Sequence, residues 1–191
     1  MAKYSRIGTF ITIVRERDTG YVFRDPKTGN PRSAYSISDF DREHAIEGLV
    51  ALSKICYVSG ATEVQPYIPD VEPLIVDRKA AASFAERSAR GEVKDPEFTD
   101  PALAAWLKQL RSVAARGPFR PVASAHQMGT CRMGATAEKG VVDEMGKVWG
   151  REGLYVADGS VLPSASGVNP MITIMAISDW ISRGVSQKLG G

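Results

Sequence analysis

An α+β fold is the class this sequence predicts, and three observations predict it. Segments rich in β-branched residues alternate with turns bearing Asp, Gly and Pro over residues 6–37. Apolar residues recur at helical spacing over 38–60 and again over 77–116. Strand-like runs at 140–163 then pass through a glycine-bearing loop into an apolar helix within 164–186.

Each element has a local reason. "RIGTFITIV" (6–14) is expected as a first strand, and "RDTGYVF" turns back at Asp18-Thr19-Gly20. "DPKTGNP" (25–31) then leads into "SAYSI" (33–37), which makes an antiparallel meander. A helix follows, with Ser38 as N-cap, Asp41 three residues on, and Gly60 just past its end. Its apolar stripe is Phe40, Ile46, Leu49, Val50, Leu52, Ile55 and Cys56, which puts Cys56 in the core and leaves His44 solvated. "TEVQPYIPDVEPLIV" (62–76), with three prolines, reads as a short strand running into loop.

From 77 to 116 the pattern is helical, with Asp77 and Thr99 or Asp100 as caps and Pro101 in a first turn. Ala102, Leu103, Trp106, Leu107 and Leu110 form its apolar stripe. "GVVDEMGKVWG" (140–150) is expected to be a hairpin turning at Glu144-Met145-Gly146, and "GLYVADGSVLP" (153–163) a buried strand. The last helix should be capped by Asn169, take Pro170 at its first position and run to about Arg183. Met171, Ile172, Ile174, Met175, Ile177, Trp180 and Ile181 cover much of its circumference, so it should be buried on most sides.

Composition narrows the function. The 191 residues are 43% apolar and 24% charged, and 24 basic against 22 acidic residues leave a net charge of +2. No basic patch interleaves with aromatics, which argues against nucleic acid as a partner. No run reaches the eighteen or more apolar residues of a membrane span, and the start has no apolar signal core. Two cysteines, Cys56 and Cys131, fit a reducing compartment, so the cytoplasm is the expected location.

The densest chemistry lies in "SAHQMGTCRMG" (124–134). Three active readings compete there: a His126–Cys131 nucleophile pair, a metal site, and a cofactor-facing histidine base. A thiol nucleophile needs a base held by a third group, and a separation of five residues through one glycine fixes no such geometry. Two histidines and two cysteines in the whole chain show no metal-ligand spacing. The serines of "PSASG" lack the G-x-S-x-G pattern of a nucleophile elbow. On residue types alone, the stretch reads most simply as a glycine-rich structural loop carrying one histidine.

Order and context shift that balance. "HQMGTCRMG", followed by "GVVDEMGKVWGREGLYVADGSVLPSASGVNPMITIMAISDWIS", closely resembles the C-terminal segment of the glucose–methanol–choline (GMC) oxidoreductases, flavoproteins that oxidise alcohols with FAD. The wording most resembles the long-chain fatty alcohol oxidase branch. "YSRIGTFITIVRERDTGYV" and "SDFDREHAIEGLVALSKICYVSGA" (38–61) are similar to that branch's substrate-domain strands and helix. The resemblance implies a substrate-domain portion at 1–123, and a C-terminal segment at 124–191 with the closing strands and helix of a flavin-binding α/β domain.

Residue by residue, the resemblance implies His126 as the active-site histidine and Asn169 where the family places a second histidine or an asparagine. Asp158 and Gly159 match the strand end approaching the FAD ribityl and pyrophosphate. Pro170 and Met171 match the helix start beside the flavin pyrimidine edge. Cys131 and Arg132 inherit no catalytic role; Arg132 is expected as a buried hydrogen-bonding group. No metal is implied.

Chemistry supports these roles independently. Alcohol oxidation removes a hydroxyl proton while hydride leaves the carbon, and an imidazole, ordinarily of pKa about 6.5, suits that base role near neutral pH. A carboxamide can orient the same oxygen without competing for its proton. A helix N-terminus, with free N–H groups and roughly half a positive charge, suits the edge of a flavin that gains electrons. The glycines would let backbone pass close to a flat cofactor.

No G-x-G-x-x-G occurs in the sequence, nor a βαβ unit to hold an adenosine. The resemblance therefore implies a separate N-terminal FAD-binding half as partner, with a small-molecule alcohol as substrate. This chain would then be a fragment or truncated form, binding FAD weakly alone and exposing apolar surface around 164–185. The alternative is a non-catalytic remnant or binding module that keeps the fold without flavin.

Overall fold

The computed structural model describes residues 4–116 and 124–190. In chain order it contains β1 (Tyr21–Arg24), β2 (Pro31–Ala34), α1 (Asp39–Val58), β3 (Glu63–Val64), β4 (Leu74–Ile75), α2 (Arg78–Ala89), α3 (Pro96–Thr99), α4 (Pro101–Ala114) and α5 (Met171–Lys188). Short 3-10 turns lie at Tyr4–Arg6 and Gly159–Val161. Helices with small antiparallel sheets make a mixed α and β chain, as expected. Two compact units are distinguished: residues 1–14 with 39–122, and residues 15–38 with 123–191. The division expected at 123 falls beside residues 117–123, outside the described ones.

The first unit is built on α1 and α4. Asp100 caps α4 by accepting from the N–H groups of Ala102 and Leu103 at 2.8 and 3.2 Å, with Pro101 next to it in the first turn. Asp77 caps α2 through Lys79 and Ala80 in the same way. Leu103, Trp106, Leu107 and Leu110 are buried, and they meet Ile46, Val50 and Tyr57 of α1. The Trp106 indole donates to the Glu72 carbonyl at 2.8 Å, tying the proline-rich segment to this core.

Some details depart from the sequence reading. The buried face of α1 runs through Asp41, Ile46, Val50, Ser53 and Tyr57, so Phe40 and Ile55 of the expected stripe point outward. Ser53 is tolerated there because its hydroxyl donates to the Leu49 carbonyl at 2.8 Å. Cys56 is half-buried and packs on the core, and burial pushes its thiol pKa up. His44 is exposed on α1, as expected. Residues 6–14 form no strand, although Ile7, Phe10 and Ile11 stand exposed. Strand propensity is largely a fit to a pleated, half-buried surface, and among the described residues this segment has no ladder to join.

A charged cluster joins three elements of the first unit. Arg111 of α4 bonds Glu97 of α3 at 2.7 Å and Glu47 of α1 at 3.0 Å, while Lys54 of α1 reaches Glu97 at 2.7 Å and Asp95 at 3.1 Å. Arg111 and then Lys54 hold the Glu97 carboxyl at a pKa of about 2, against an ordinary 4.5. A folded-state pKa below the unfolded one stabilises above the unfolded value, and that stabilisation is lost as pH falls through the folded one. Glu97→Gln should therefore lower the unfolding midpoint of the first unit near neutral pH. Allowing for solvent screening, the loss should be on the order of 1–2 kcal/mol, vanishing between pH 4.5 and about 2. Thermal unfolding of both proteins across that range is the measurement; a pH-independent difference would contradict it.

In the second unit, β1 and β2 pair antiparallel with Tyr21 opposite Ala34 and Arg24 opposite Pro31. Asp25 closes their turn by accepting from the N–H groups of Lys27 and Thr28 at 2.8 and 3.1 Å. The hairpin expected at 140–150 forms as a single bridge, Val142 to Val148, turning at Gly146 with φ +71°. Asp143 holds that turn by accepting from Met145 and Lys147, both at 2.9 Å. The strand expected at 153–163 is only one bridge, Lys147 to Tyr155, before the 3-10 turn.

The last helix begins two residues after Asn169 and runs past Arg183 to Lys188. Pro170 occupies the N-cap position, and no side chain caps this end, so Asn169 does not act as the cap. The expectation of burial on most sides is also corrected. Within α5 only Ile181 is buried, while Met171, Ile172, Met175 and Trp180 are each at least 60% exposed. Among the described residues no helix is long and apolar enough to cross a membrane.

Candidate active site

The stretch 124–134 is clamped between two neighbours in the second unit. The Cys131 N–H donates to the Ser160 carbonyl at 3.0 Å and the Met133 N–H to Val161 at 2.8 Å. On its other side, Gly134 donates to Val142 at 3.0 Å and Val141 donates to Arg132 at 2.9 Å. Val142 and Val161 are fully buried beneath this ladder. The glycines serve the protein's own backbone: a Cβ on Gly134 would lie 2.4 Å from the Gly140 nitrogen. This glycine permits two segments of the chain to touch.

His126 sits at the exposed end of the clamp with φ +60°. That left-handed backbone costs a non-glycine residue about 1–3 kcal/mol and persists only where its surroundings hold it. Gln127 supplies part of that hold: its carboxamide donates to the Ser124 carbonyl at 2.9 Å and to the Ser124 hydroxyl at 3.1 Å. Net hydrogen-bond worth of about 0.5–1.5 kcal/mol each is comparable with the backbone cost. The sequence reading did not single out Gln127. The signal available was only its place beside His126.

The 3-10 turn and the start of α5 come to the same end of this unit. A Cβ on Gly159 would stand 3.0 Å from Cδ1 of Ile174, in the first turn of α5, and 3.8 Å from the Gln127 carbonyl. Having no side chain, Gly159 lets the His126 loop, the Asp158 corner and α5 meet. Asp158 accepts from the Ser160 N–H at 2.8 Å, and hydrogen bonding to Ser160 holds its pKa below the ordinary carboxylate value. Farther along, the Ser178 hydroxyl donates to the Ala157 carbonyl and pins α5 to the chain leading into that corner.

The other candidates are placed plainly. Asn169 is exposed, and among the described residues neither its carboxamide nor the His126 ring makes a side-chain hydrogen bond. Cys131 is half-buried with a free thiol. Arg132 was expected to be buried, but it is exposed and donates to the Lys139 carbonyl at 3.3 Å. Among the described residues no group of three or more His, Cys, Asp or Glu could hold a metal ion.

The donor set at the start of α5 suits an electron-rich, flat edge. The Ile174 N–H donates to the Pro170 carbonyl at 2.8 Å, and no side chain caps the amides ahead of it. Met171 is exposed at this end, and the helix N-terminus favours an electron-rich group. The residues present therefore fit FAD at this end.

Residues 17–178 match the GMC oxidoreductase family. A long-chain-alcohol oxidase of Arabidopsis thaliana, FAO4B, is 35% identical over 99% of this chain and 23% of its own length. A second one, FAO1, is 32% identical over 99% of this chain and 22% of its own. An uncharacterised GMC-type oxidoreductase of Mycobacterium tuberculosis is 30% identical over 91% of this chain and 23% of its own. The chain thus spans under a quarter of the length of these relatives. With the family match covering most of the chain and the motif residues 126–134 and 158–171 converging at one end of one unit, the protein belongs to the GMC oxidoreductases.

Proposed function

We propose that this chain forms the substrate-facing part of an FAD-dependent enzyme that oxidises primary alcohols, of long aliphatic chain, to aldehydes. The similarity to long-chain-alcohol oxidases supports the substrate class. The observation that carries the reading is the meeting of the His126 loop, the Asp158-Gly159 corner and the uncapped start of α5. In this reading residues 1–123 belong to the substrate domain, and residues 124–191 supply the active site and flavin contacts. An N-terminal FAD-binding half provides the pyrophosphate cradle. Two free thiols suit a reducing compartment such as the cytoplasm.

Bound FAD supplies the acceptor for the hydride that leaves the carbinol carbon. His126 takes the hydroxyl proton on a ring nitrogen, which the ring can do because neither nitrogen is engaged by a described residue. The Asn169 carboxamide donates to the same oxygen and orients it. The Met171 and Ile172 amides, with the helix dipole behind them, would hold the flavin edge and favour negative charge on it. Asp158, whose pKa hydrogen bonding to Ser160 holds below the ordinary value, would accept from the ribityl hydroxyls, and Gly159 and Pro170 would leave that approach free of long side chains.

The test is the absorbance of the native protein, with FAD binding measured separately by calorimetry. A bound flavin that is bleached anaerobically by a long primary alcohol, with aldehyde appearing in equal amount, is the expected result. A native protein that binds no flavin would overturn the reading and favour a non-catalytic binding module.

A further inference from the structure

The His126 ring is held only through its backbone, since no described side chain orients its nitrogens. Its backbone in turn is unusual: φ is +60° at a residue that is not glycine. Downstream the chain is seated firmly, because the Gln127 carbonyl lies against Gly159 and the Cys131 and Met133 amides are tied to Ser160 and Val161. Upstream, the bonds that bring the chain back on itself are the two from the Gln127 carboxamide to Ser124. They close a small loop whose enclosed residues are Ala125 and His126.

We propose that Gln127 is the positioning residue of this site: its carboxamide closes the loop that keeps His126 left-handed and presents the imidazole. A glycine at 126 would adopt this backbone freely but would carry no base. Gln127 therefore does for a histidine what a glycine's freedom would otherwise do. The inference rests on the reading of His126 as the base. Both donations matter, because a carbonyl and a hydroxyl of one residue are held at once, which fixes direction as well as distance.

Two variants test it, Gln127→Ala and Gln127→Glu. Glutamate has the same size, but its carboxylate cannot donate to the Ser124 carbonyl. In the 191-residue chain, nuclear relaxation should show the amides of Ala125 to Gln127 becoming mobile in both variants. In the flavin-loaded protein, kcat for alcohol should fall about tenfold in both with KM little changed, a loss of about 1.4 kcal/mol in the barrier. Added to His126→Ala, Gln127→Ala should cause no further loss, since the two act as a unit. Rigid amides and an unchanged kcat in Gln127→Glu would overturn the inference, as would an additive loss in the double variant. Should His126→Ala itself keep the full rate, the base reading fails, and the relaxation arm still decides whether Gln127 holds the loop.

Discussion

In this chain joined to its proposed FAD-binding half, replacing His126 by alanine is expected to leave FAD bound while slowing anaerobic bleaching of the flavin by alcohol by about 10²–10⁴-fold. The two parts of that result have separate causes. Flavin contacts are assigned to Asp158, Gly159, Pro170 and Met171, none of which His126 holds by a side-chain bond. The proton, in contrast, has no second acceptor of suitable basicity at this end of the unit among the described residues, because hydrogen bonding to Ser160 holds the Asp158 pKa below the ordinary carboxylate value and leaves it a weak base. Asn169→Ala should cost less, and its cost should fall on substrate orientation alone. Asn169 does not cap α5, so its loss leaves the helix intact. His44→Ala is the control: His44 lies exposed on α1 with Nδ1 2.8 Å from the Phe40 carbonyl. Stopped-flow reduction separates this half-reaction from the oxidant. Unchanged reduction in His126→Ala would remove the histidine as base.

Where a feature depends on three or four adjacent residues, it could be read before any coordinates. Asp77 and Asp100 cap their helices as a carboxylate before a helix should, and Ser38 to Gly60 bound α1 closely. The order of "HQMGTCRMG" and "VADGS" marked the family, because a dense string of unusual residues survives without any tertiary knowledge. Other features depend on partners far along the chain. Residues 6–14 have strand composition, but a strand exists only where a ladder receives it. The buried side of α1 passes through Asp41, Ser53 and Tyr57, and a hydropathy stripe cannot show that Tyr57 will find Asp100 as an acceptor. The left-handed turn at His126 was likewise hidden, since it depends on Gln127 reaching back to Ser124.

Two neighbouring residues of α5 should respond in opposite ways to truncation. Ile181 is 1% exposed, and its Cδ1 and Cγ2 lie 2.7 and 3.0 Å from where a Cβ on Gly146 would be. Gly146 in turn accepts from the Val156 N–H at 2.8 Å, so Ile181 seats the helix on the backbone that leads to Asp158. Ile181→Ala removes three carbons from a packed site and should cost about 2–5 kcal/mol, depending on how far Gly146 and its neighbours close the gap. With Ser178 and Ala157 as the next point of attachment, the N-terminal turn of α5 should loosen too, and with it the amides assigned to flavin. Trp180 is the larger side chain but is 60% exposed, so Trp180→Ala should change stability by only about 0.5 kcal/mol. Its effect should appear in solubility: Met171, Ile172, Met175 and Trp180 make an apolar surface on one helix, and removing the largest member weakens self-association. Amide exchange along α5 and light scattering of the same samples measure both effects. Equal losses of protection in the two variants would show that α5 is not seated through Ile181, and the placement of its amides at the active site would fall with it.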